Sequence, residues 1–198
     1  EAVEPEVAEL EEAPAEEDAA AEEAAAEEPA EDEAPAEEDA DEAASDSDVP
    51  AEHRSALSQA ETYAETMHMS KQGIFDQLVS EYGGQFSEEA AQYAVDTVDA
   101  DWNQNALESA EVYSDMMHMS KQGIFDQLIS EYGDQFTEDQ AQYAIDTIDA
   151  DWNQNALESA KVYQDEMAMS PDAIRDQLSS EYGDQFTEDE AQYAVDNL

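Results

Sequence analysis

The sequence predicts an all-α protein in which a 50-residue unit of three helices occurs three times behind an acidic N-terminal segment. The repeat is the first observation: Ala56-Leu57 recurs as Ala106-Leu107 and Ala156-Leu157, and the run Ser-Glu-Tyr-Gly recurs in the same register without insertion. The second is helical spacing of apolar residues within each copy, and the third is helix-capping residues at matching places. A fixed period of this length makes each copy one supersecondary unit.

Residues 1–53 are predicted to form a disordered, self-extending spacer. Asp and Glu make up 23 of the first 50 residues, none of which is Lys, Arg or aromatic. Such a composition buries too little apolar surface to offset the chain entropy lost on folding. Repulsion between like charges extends the segment, and its prolines stiffen it locally.

In the second copy, the first two helices are predicted from apolar spacing and caps. The first runs from about Ala106 to His118 and presents one apolar stripe, Leu107, Ala110, Tyr113 and Met117. Ser120 is the predicted cap of the second, since its counterpart Ser170 precedes a proline at the first helical position. The inner face is predicted to be Ile124, Leu128 and Tyr132, with Gly133 as the left-handed residue that ends the helix.

The third helix is predicted to begin with a capping box. Thr137 and Gln140 have the required spacing, as do Thr187 and Glu190 in the last copy. The apolar face is predicted to consist of Ala141, Ala144, Ile145 and Ile148.

The junctions between copies contain neither Gly nor Pro, and they leave two interpretations open. Ile148, Trp152 and Ala156 keep helical spacing, so the third helix can run on into the next copy. Alternatively, Asn103 or Asn105 caps a fresh helix. We place the three repeats at residues 54–102, 103–152 and 153–198.

Comparison of the copies predicts where the two tryptophans pack. Phe75 and Val79 in the first copy, like Phe125 and Ile129 in the second, share one helix face, but Arg175 and Ser179 replace them in the third. The third copy also lacks the following junction with its tryptophan, as expected of a terminal repeat. We therefore expect each tryptophan to pack on the copy that precedes it, Trp102 near Phe75 and Val79, and Trp152 near Phe125 and Ile129. The competing interpretation is that these apolar pairs are exposed sites for a partner.

The charge of the chain restricts its partners. There are 55 acidic residues against 5 basic ones, a formal charge of −50, and no cysteine. Nucleic-acid affinity comes largely from Lys and Arg neutralising phosphates, so this chain is predicted not to bind nucleic acid. A basic protein segment is the expected partner, bound with a steep salt dependence. The acidic residues proposed to attract it are Asp115, Asp126, Glu131, Asp134, Glu138 and Asp139.

A calcium loop is the main metal alternative. Asp99, Asp101 and Asn103, and again Asp149, Asp151 and Asn153, occupy alternate positions like the start of an EF-hand loop. Such a loop also needs Gly at its sixth place and Glu at its twelfth, where this chain has Gln and Ala both times. Helix capping is therefore the favoured role, and calcium remains the weaker alternative.

Chemistry beyond binding has little support in the sequence. The methionine pairs Met67/Met69, Met117/Met119 and Met167/Met169 are interpreted as core filling. There is no Gly-rich phosphate loop, no Ser-His-Asp set and no distinctive pair of carboxylates. We expect neither an enzyme nor a bound cofactor.

The repeats resemble the Ltp family of host-cell-surface lipoproteins across residues 54–198. The resemblance is carried by Asn105-Ala-Leu, Tyr113, Met119-Ser120-Lys121, Gly123, Gln127-Leu128, Ser130-Glu131-Tyr132-Gly133, Phe136, Ala141-Gln142-Tyr143-Ala144 and Asp151-Trp152-Asn153. It implies a helix-turn-helix-like repeat displayed outside a bacterial cell. It also implies superinfection exclusion, in which a surface protein blocks entry of another phage's DNA, with a phage protein as the partner.

The expected function is therefore a non-enzymatic, extracellular binding module that is secreted or held by an upstream lipid anchor. No segment reaches the length of about 18 apolar residues that spans a bilayer, so direct membrane insertion is not expected. The first residue is Glu rather than Met, which indicates a processed product or an excerpt. The rival interpretation is a structural or solubilising surface protein whose acidity reflects adaptation to salt.

Overall fold

The computed structural model describes residues 49–198. Within that range the chain is helical and has no strand, which confirms the all-α prediction. The three repeats contribute three helices each: α1 Ala51–Met67, α2 Lys71–Val79, α3 Glu88–Thr97, α4 Trp102–Met117, α5 Lys121–Ile129, α6 Glu138–Thr147, α7 Trp152–Asp165, α8 Pro171–Ser179 and α9 Glu188–Asp196. The predicted spacer lies outside the described residues except at its end, where α1 begins at Ala51.

Side-chain caps set the starts of most helices at the predicted places. The Ser120 hydroxyl accepts a hydrogen bond from the backbone N–H of Gly123, and Ser170 caps α8 with Pro171 in its first turn. Thr137 and Thr187 each begin a complete capping box. Each cap satisfies an N–H group that has no partner inside the helix.

The structure settles the question left open at the junctions. Helix α3 ends at Thr97 and α4 begins at Trp102, so the third helix does not continue into the next copy. The capping residue is Asp101, not Asn103 or Asn105, and its carboxylate accepts the N–H groups of Asn103 and Gln104 at 3.1 Å. Asp151 caps α7 through one such bond, from the N–H of Gln154 at 3.1 Å.

The predicted end of the second helix is wrong. Helix α5 ends at Ile129, and Gly133 lies in the following turn without a left-handed φ; that conformation belongs to Gln135, whose φ is 58°. Glycine is needed at position 133 for a different reason, because an added Cβ would lie 2.3 Å from the carbonyl oxygen of Gln127. Since the helix stops early, Tyr132 is 93% exposed and does not belong to the inner face.

Each repeat has its own hydrophobic core, formed mainly where its first and third helices pack against each other. In the second repeat Leu107, Ala110 and Ile145 are buried as predicted, and Ile148 packs at the edge of the core. Met117 is the exception on the first helix, because it is 61% exposed. The fully buried residues shared by all three cores are Ala56, Ala60, Ile74, Leu78, Ala91 and Ala94, with their counterparts fifty and one hundred residues later.

Both tryptophans are half-buried and pack at the edge of a core. Trp102 packs against the core of the first repeat, as Phe75 and Val79 do. Trp152 packs against the core of the second repeat. Contact of each ring with the particular Phe and Val or Ile side chains stays a prediction.

Among the described residues no helix is both long enough and apolar enough to cross a bilayer.

Candidate partner-binding surface

A buried asparagine joins each repeat to the one before it. The side-chain amide of Asn105, at the start of α4, donates hydrogen bonds to the carbonyl oxygens of Ala64 and Met69 in the first repeat, at 3.1 and 3.0 Å. Asn155 does the same between the second and third repeats, with the hydroxyl of Ser114 at 2.9 Å and the carbonyl of Met119 at 3.1 Å. The Ala64 carbonyl belongs to the last turn of α1, where backbone carbonyls lack a partner inside the helix, and the Met69 and Met119 carbonyls lie just beyond the helix ends.

Two serines add further bonds at each junction. The hydroxyl of Ser120, besides capping α5, donates to the backbone carbonyl of Asp184, and Ser159 donates to the carbonyl of His118 at 3.2 Å. Ser70 and Ser109 make the corresponding bonds at the first junction. The repeats therefore meet through specific polar contacts, whereas extensive helix packing lies within each repeat.

Sequence reasoning treated Asn105 only as a candidate helix cap and missed its role at the junction. Comparison of the three copies does contain a sign of this junction role. The first repeat, which follows no other repeat, has Ser55 and Gln59 where the later copies have the junction Asn and Ser. Both Ser55 and Gln59 are exposed, whereas Asn105 and Asn155 are buried.

Asp134 does not belong to the open acidic surface predicted for it. Its carboxylate is half-buried and accepts a hydrogen bond from the Tyr113 hydroxyl at 2.8 Å, while its second oxygen is buried without a partner. Burial raises the pKa of the Asp134 carboxyl above its ordinary value, although the bond from Tyr113 acts in the opposite direction. Burial and then the neighbouring carboxylate raise the pKa of Tyr113 to about 12.

The same pair recurs in the third repeat. Tyr163 donates to Asp184 at 2.8 Å, burial raises the pKa of the Asp184 carboxyl, and the pKa of Tyr163 rises to about 12. In the first repeat Gly84 stands at the position of the aspartate. The pair therefore occurs only in the two repeats whose Asp backbone carbonyl accepts a bond from the preceding repeat.

The other predicted acidic residues do face solvent. Asp115, Glu131, Glu138 and Asp139 are exposed, and Asp126 is partly exposed beside Gln122, whose amide donates to it at 2.8 Å. Three of the basic residues already pair with acids within the chain: Lys71 with Asp96, Lys161 with Glu158 and Arg175 with Asp176. The described surface thus keeps a large excess of exposed negative charge.

A groove with a volume of about 670 Å³ lies between the second and third repeats. Its apolar members come from both: Met117 and Met119 from one, and Val162, Tyr163, Met167 and Phe186 from the other. Asp126 and Asp184 also line it, and no Lys or Arg does. The corresponding space at the first junction, beside Met67 and Met69, is about 110 Å³.

The methionines divide into two groups, which corrects the core-filling interpretation for one of them. Met69, Met119 and Met169 pack against the cores as predicted. Met67, Met117 and Met167, two residues earlier in each copy, are largely exposed. The sequence spacing places both groups near the end of the first helix and does not distinguish them.

Two of the four carboxylates in the calcium alternative cap a helix. Asp101 and Asp151 cap α4 and α7, and Asp99, Asn103, Asp149 and Asn153 are exposed. Within residues 49–198 no three His, Asp or Glu side chains converge into a group that could hold a metal ion.

The sequence profile described as host cell surface-exposed lipoprotein, Lipoprotein_Ltp, matches the chain three times, at residues 51–98, 101–148 and 151–198. A solved structure of Ltp, a superinfection exclusion protein from the Streptococcus thermophilus temperate phage TP-J34, is similar at 44% sequence identity. That similarity has a TM-score of 0.47 and covers 51% of this chain and 99% of that one. No curated protein matches the chain.

Proposed function

Because this chain belongs to the Ltp family of host cell surface-exposed lipoproteins, we propose that it is a non-enzymatic module that binds a basic protein segment outside the cell. The observation that carries this proposal is the acidic surface, open to solvent at Asp115, Glu131, Glu138 and Asp139. Residues 51–198 alone hold 32 acidic and 5 basic residues. A field of one sign attracts and steers a partner of the opposite sign.

The captured segment belongs, in this proposal, to a protein of an incoming phage, and its capture blocks entry of the phage DNA. Exposure at the host cell surface, as in the description of the family, supports this proposal, because an incoming phage meets the host there. A lipid attached upstream of Glu1 holds the repeats there. Host cells that display the lipid-anchored chain should then support fewer plaques than cells that display a variant with a neutralised surface.

The test of binding uses a lysine-rich peptide and the variant Asp115→Asn, Glu131→Gln, Glu138→Gln, Asp139→Asn. Calorimetry should show binding by the original chain at about 50 mM salt and much weaker binding at about 500 mM, because salt screens exposed charges. The four substitutions should weaken binding at low salt at least about tenfold, since four charge contacts are removed.

The control is Asp134→Asn, which removes one charge at a half-buried position. This substitution should leave peptide binding within about twofold, well below the effect of the four exposed positions. Salt-independent binding, or unchanged binding by the fourfold variant, would contradict the proposal. No binding at any salt concentration would favour the salt-adapted structural alternative.

A further inference from the structure

We propose that the groove between the second and third repeats receives the apolar side of an amphipathic basic segment, while the surrounding acids hold its cationic side. This inference rests on the proposed function. It adds the place where the partner binds and the arrangement of apolar and basic residues in the partner segment. The groove would make recognition depend on apolar residues as well as on charge. Only one such site would exist in the described part of the chain, because the space at the first junction is about 110 Å³.

The apolar side chains of the groove are exposed to a degree that folding alone does not explain. Met117 and Met167 are each 61% exposed and Val162 is 45% exposed, yet all three line one concave surface from two different repeats. Phe186 is buried in the same lining. Contiguous apolar surface rimmed by polar groups marks interaction sites, and flexible methionines adapt to varied apolar partners.

The size of the groove fits several side chains of a peptide. Sites for small ligands commonly occupy about 300 to 1,000 Å³, and the groove measures about 670 Å³. An amphipathic helix inserts apolar residues at successive turns into a groove of this kind. The space at the first junction is too small to take the same set of side chains.

Charge decides the occupant. The lining contains Asp126 and Asp184, and the first 50 residues of the chain carry 23 acids and no Lys or Arg. A second copy of the chain brings its own charge of −50. Repulsion therefore disfavours binding of the N-terminal segment or of another copy in the groove. A segment with Lys or Arg beside its apolar face complements both the charge and the apolar lining of the groove.

The walls of the groove are held together by the bonds of the second junction. Ser120 and Ser159 both line the groove, and each donates a hydrogen bond across it to a backbone carbonyl, of Asp184 and His118 respectively. Asn155 adds its bonds to Ser114 and Met119 in the same junction. A site whose walls are joined before binding loses less entropy when a ligand arrives.

The experiment compares two synthetic 18-residue peptides of equal charge. One has Leu at positions i, i+3, i+4 and i+7 along the peptide and Lys at the others, which makes an amphipathic helix, and the other has Ser in place of every Leu. The original chain should bind the Lys/Leu peptide at least about tenfold tighter, because only that peptide buries apolar area. Methyl NMR of the seven methionines should show the shifts at Met117 and Met167 rather than at Met67.

Matched variants locate the effect. Met117→Gln with Val162→Gln changes exposed residues of the groove, and Met67→Gln with Val112→Gln changes their counterparts one repeat earlier. The first pair should remove most of the preference for the Lys/Leu peptide, and the second should leave it intact. Binding of the Lys/Ser peptide should be the same in both.

The outcomes separate this inference from the proposed function. Equal binding of the two peptides by the original chain, or equal loss of preference in both variants, overturns the groove and leaves the acidic surface standing. Failure of both peptides to bind overturns the proposed function. A preference abolished only by Met117→Gln with Val162→Gln supports both.

Discussion

Tyr113 and Tyr163 each donate a hydrogen bond to an aspartate that is half-buried beside a junction between repeats. In each case burial raises the pKa of the aspartate, and this effect exceeds that of the bond from tyrosine. A folded-state pKa above the unfolded value means that the folded protein holds the proton more strongly than the unfolded chain does. The contribution to stability is therefore present below the unfolded pKa and is lost as pH rises through the folded pKa.

We predict that the double substitution Asp134→Asn with Asp184→Asn removes the loss of stability that accompanies ionisation of the two aspartates. Asn can still accept the tyrosine hydrogen bond, and it carries no charge to bury. Urea unfolding at a series of pH values should show the variant gaining stability over the original chain as pH rises above about 4, the ordinary aspartate value.

Asp115→Asn with Asp165→Asn is the matched control, since both positions are exposed in the corresponding repeats. The stability of this control relative to the original chain should rise less with pH than that of the Asp134 and Asp184 variant. A stability difference that shrinks as pH rises for the Asp134 and Asp184 variant would contradict the assigned burial effect.

At the scale of the helices, the junctions depend on the amides of Asn105 and Asn155. Asn155→Ala would leave the buried hydroxyl of Ser114 and the carbonyl of Met119 without their partner. We expect a loss of about 1 to 3 kcal/mol in the free energy of unfolding, the usual cost of an unsatisfied buried group. Hydrogen exchange should accelerate at both sides of the second junction. Asn153→Ala, in the same helix but exposed, should have little effect on either measurement.

Helix α7 also brings Trp152 to the edge of the preceding core. Because the ring is half-buried, Trp152→Ala should cost less than the roughly 3 to 5 kcal/mol typical of a fully buried aromatic residue. A double-mutant cycle should show coupling of Trp152 to Phe125 and none to Arg175. Coupling to Arg175 alone would show that the ring packs on the following repeat instead.

Within residues 49–198, three separate cores are linked by small polar junctions, and the first and third repeats differ from the middle one at positions that form junctions elsewhere. Ser55 and Gln59 face solvent at the beginning, and Ser170 does so at the end. Arg175 and Ser179 replace the apolar pair in the last repeat. In such an array, stability is approximately a sum of repeat terms and nearest-neighbour terms.

The net charge of −50 predicts opposite effects of salt on stability and on binding. Raising NaCl from about 50 mM to about 500 mM should raise Tm by a few degrees, because repulsion between exposed acids is screened. The same change should weaken binding of the lysine-rich peptide. Glycerol, which does not screen charge, should leave the peptide affinity nearly unchanged. A Tm that falls with NaCl would contradict the role assigned to self-repulsion.

The sequence by itself determined the repeat, the helical class, the serine and threonine caps and the small residues of each core. These features depend on spacing along one helix or on bonds within three or four residues, so the local chain contains the information. The excess of acids was equally plain from composition.

Only the tertiary structure decided which residues near the helix ends are buried and which stay exposed. Tyr132 shares a helical register with Ile124 and Leu128, but the helix ends before it and leaves it in solvent. In the sequence, nothing distinguishes Asp134 from the exposed acids. In the structure it is half-buried beside the junction and accepts a hydrogen bond from Tyr113. Met117 and Met119 have nearly the same sequence surroundings, yet one is exposed at the groove and the other packs on the core. These outcomes depend on where a helix ends and on how segments distant in sequence pack together, which helical spacing within one element does not specify.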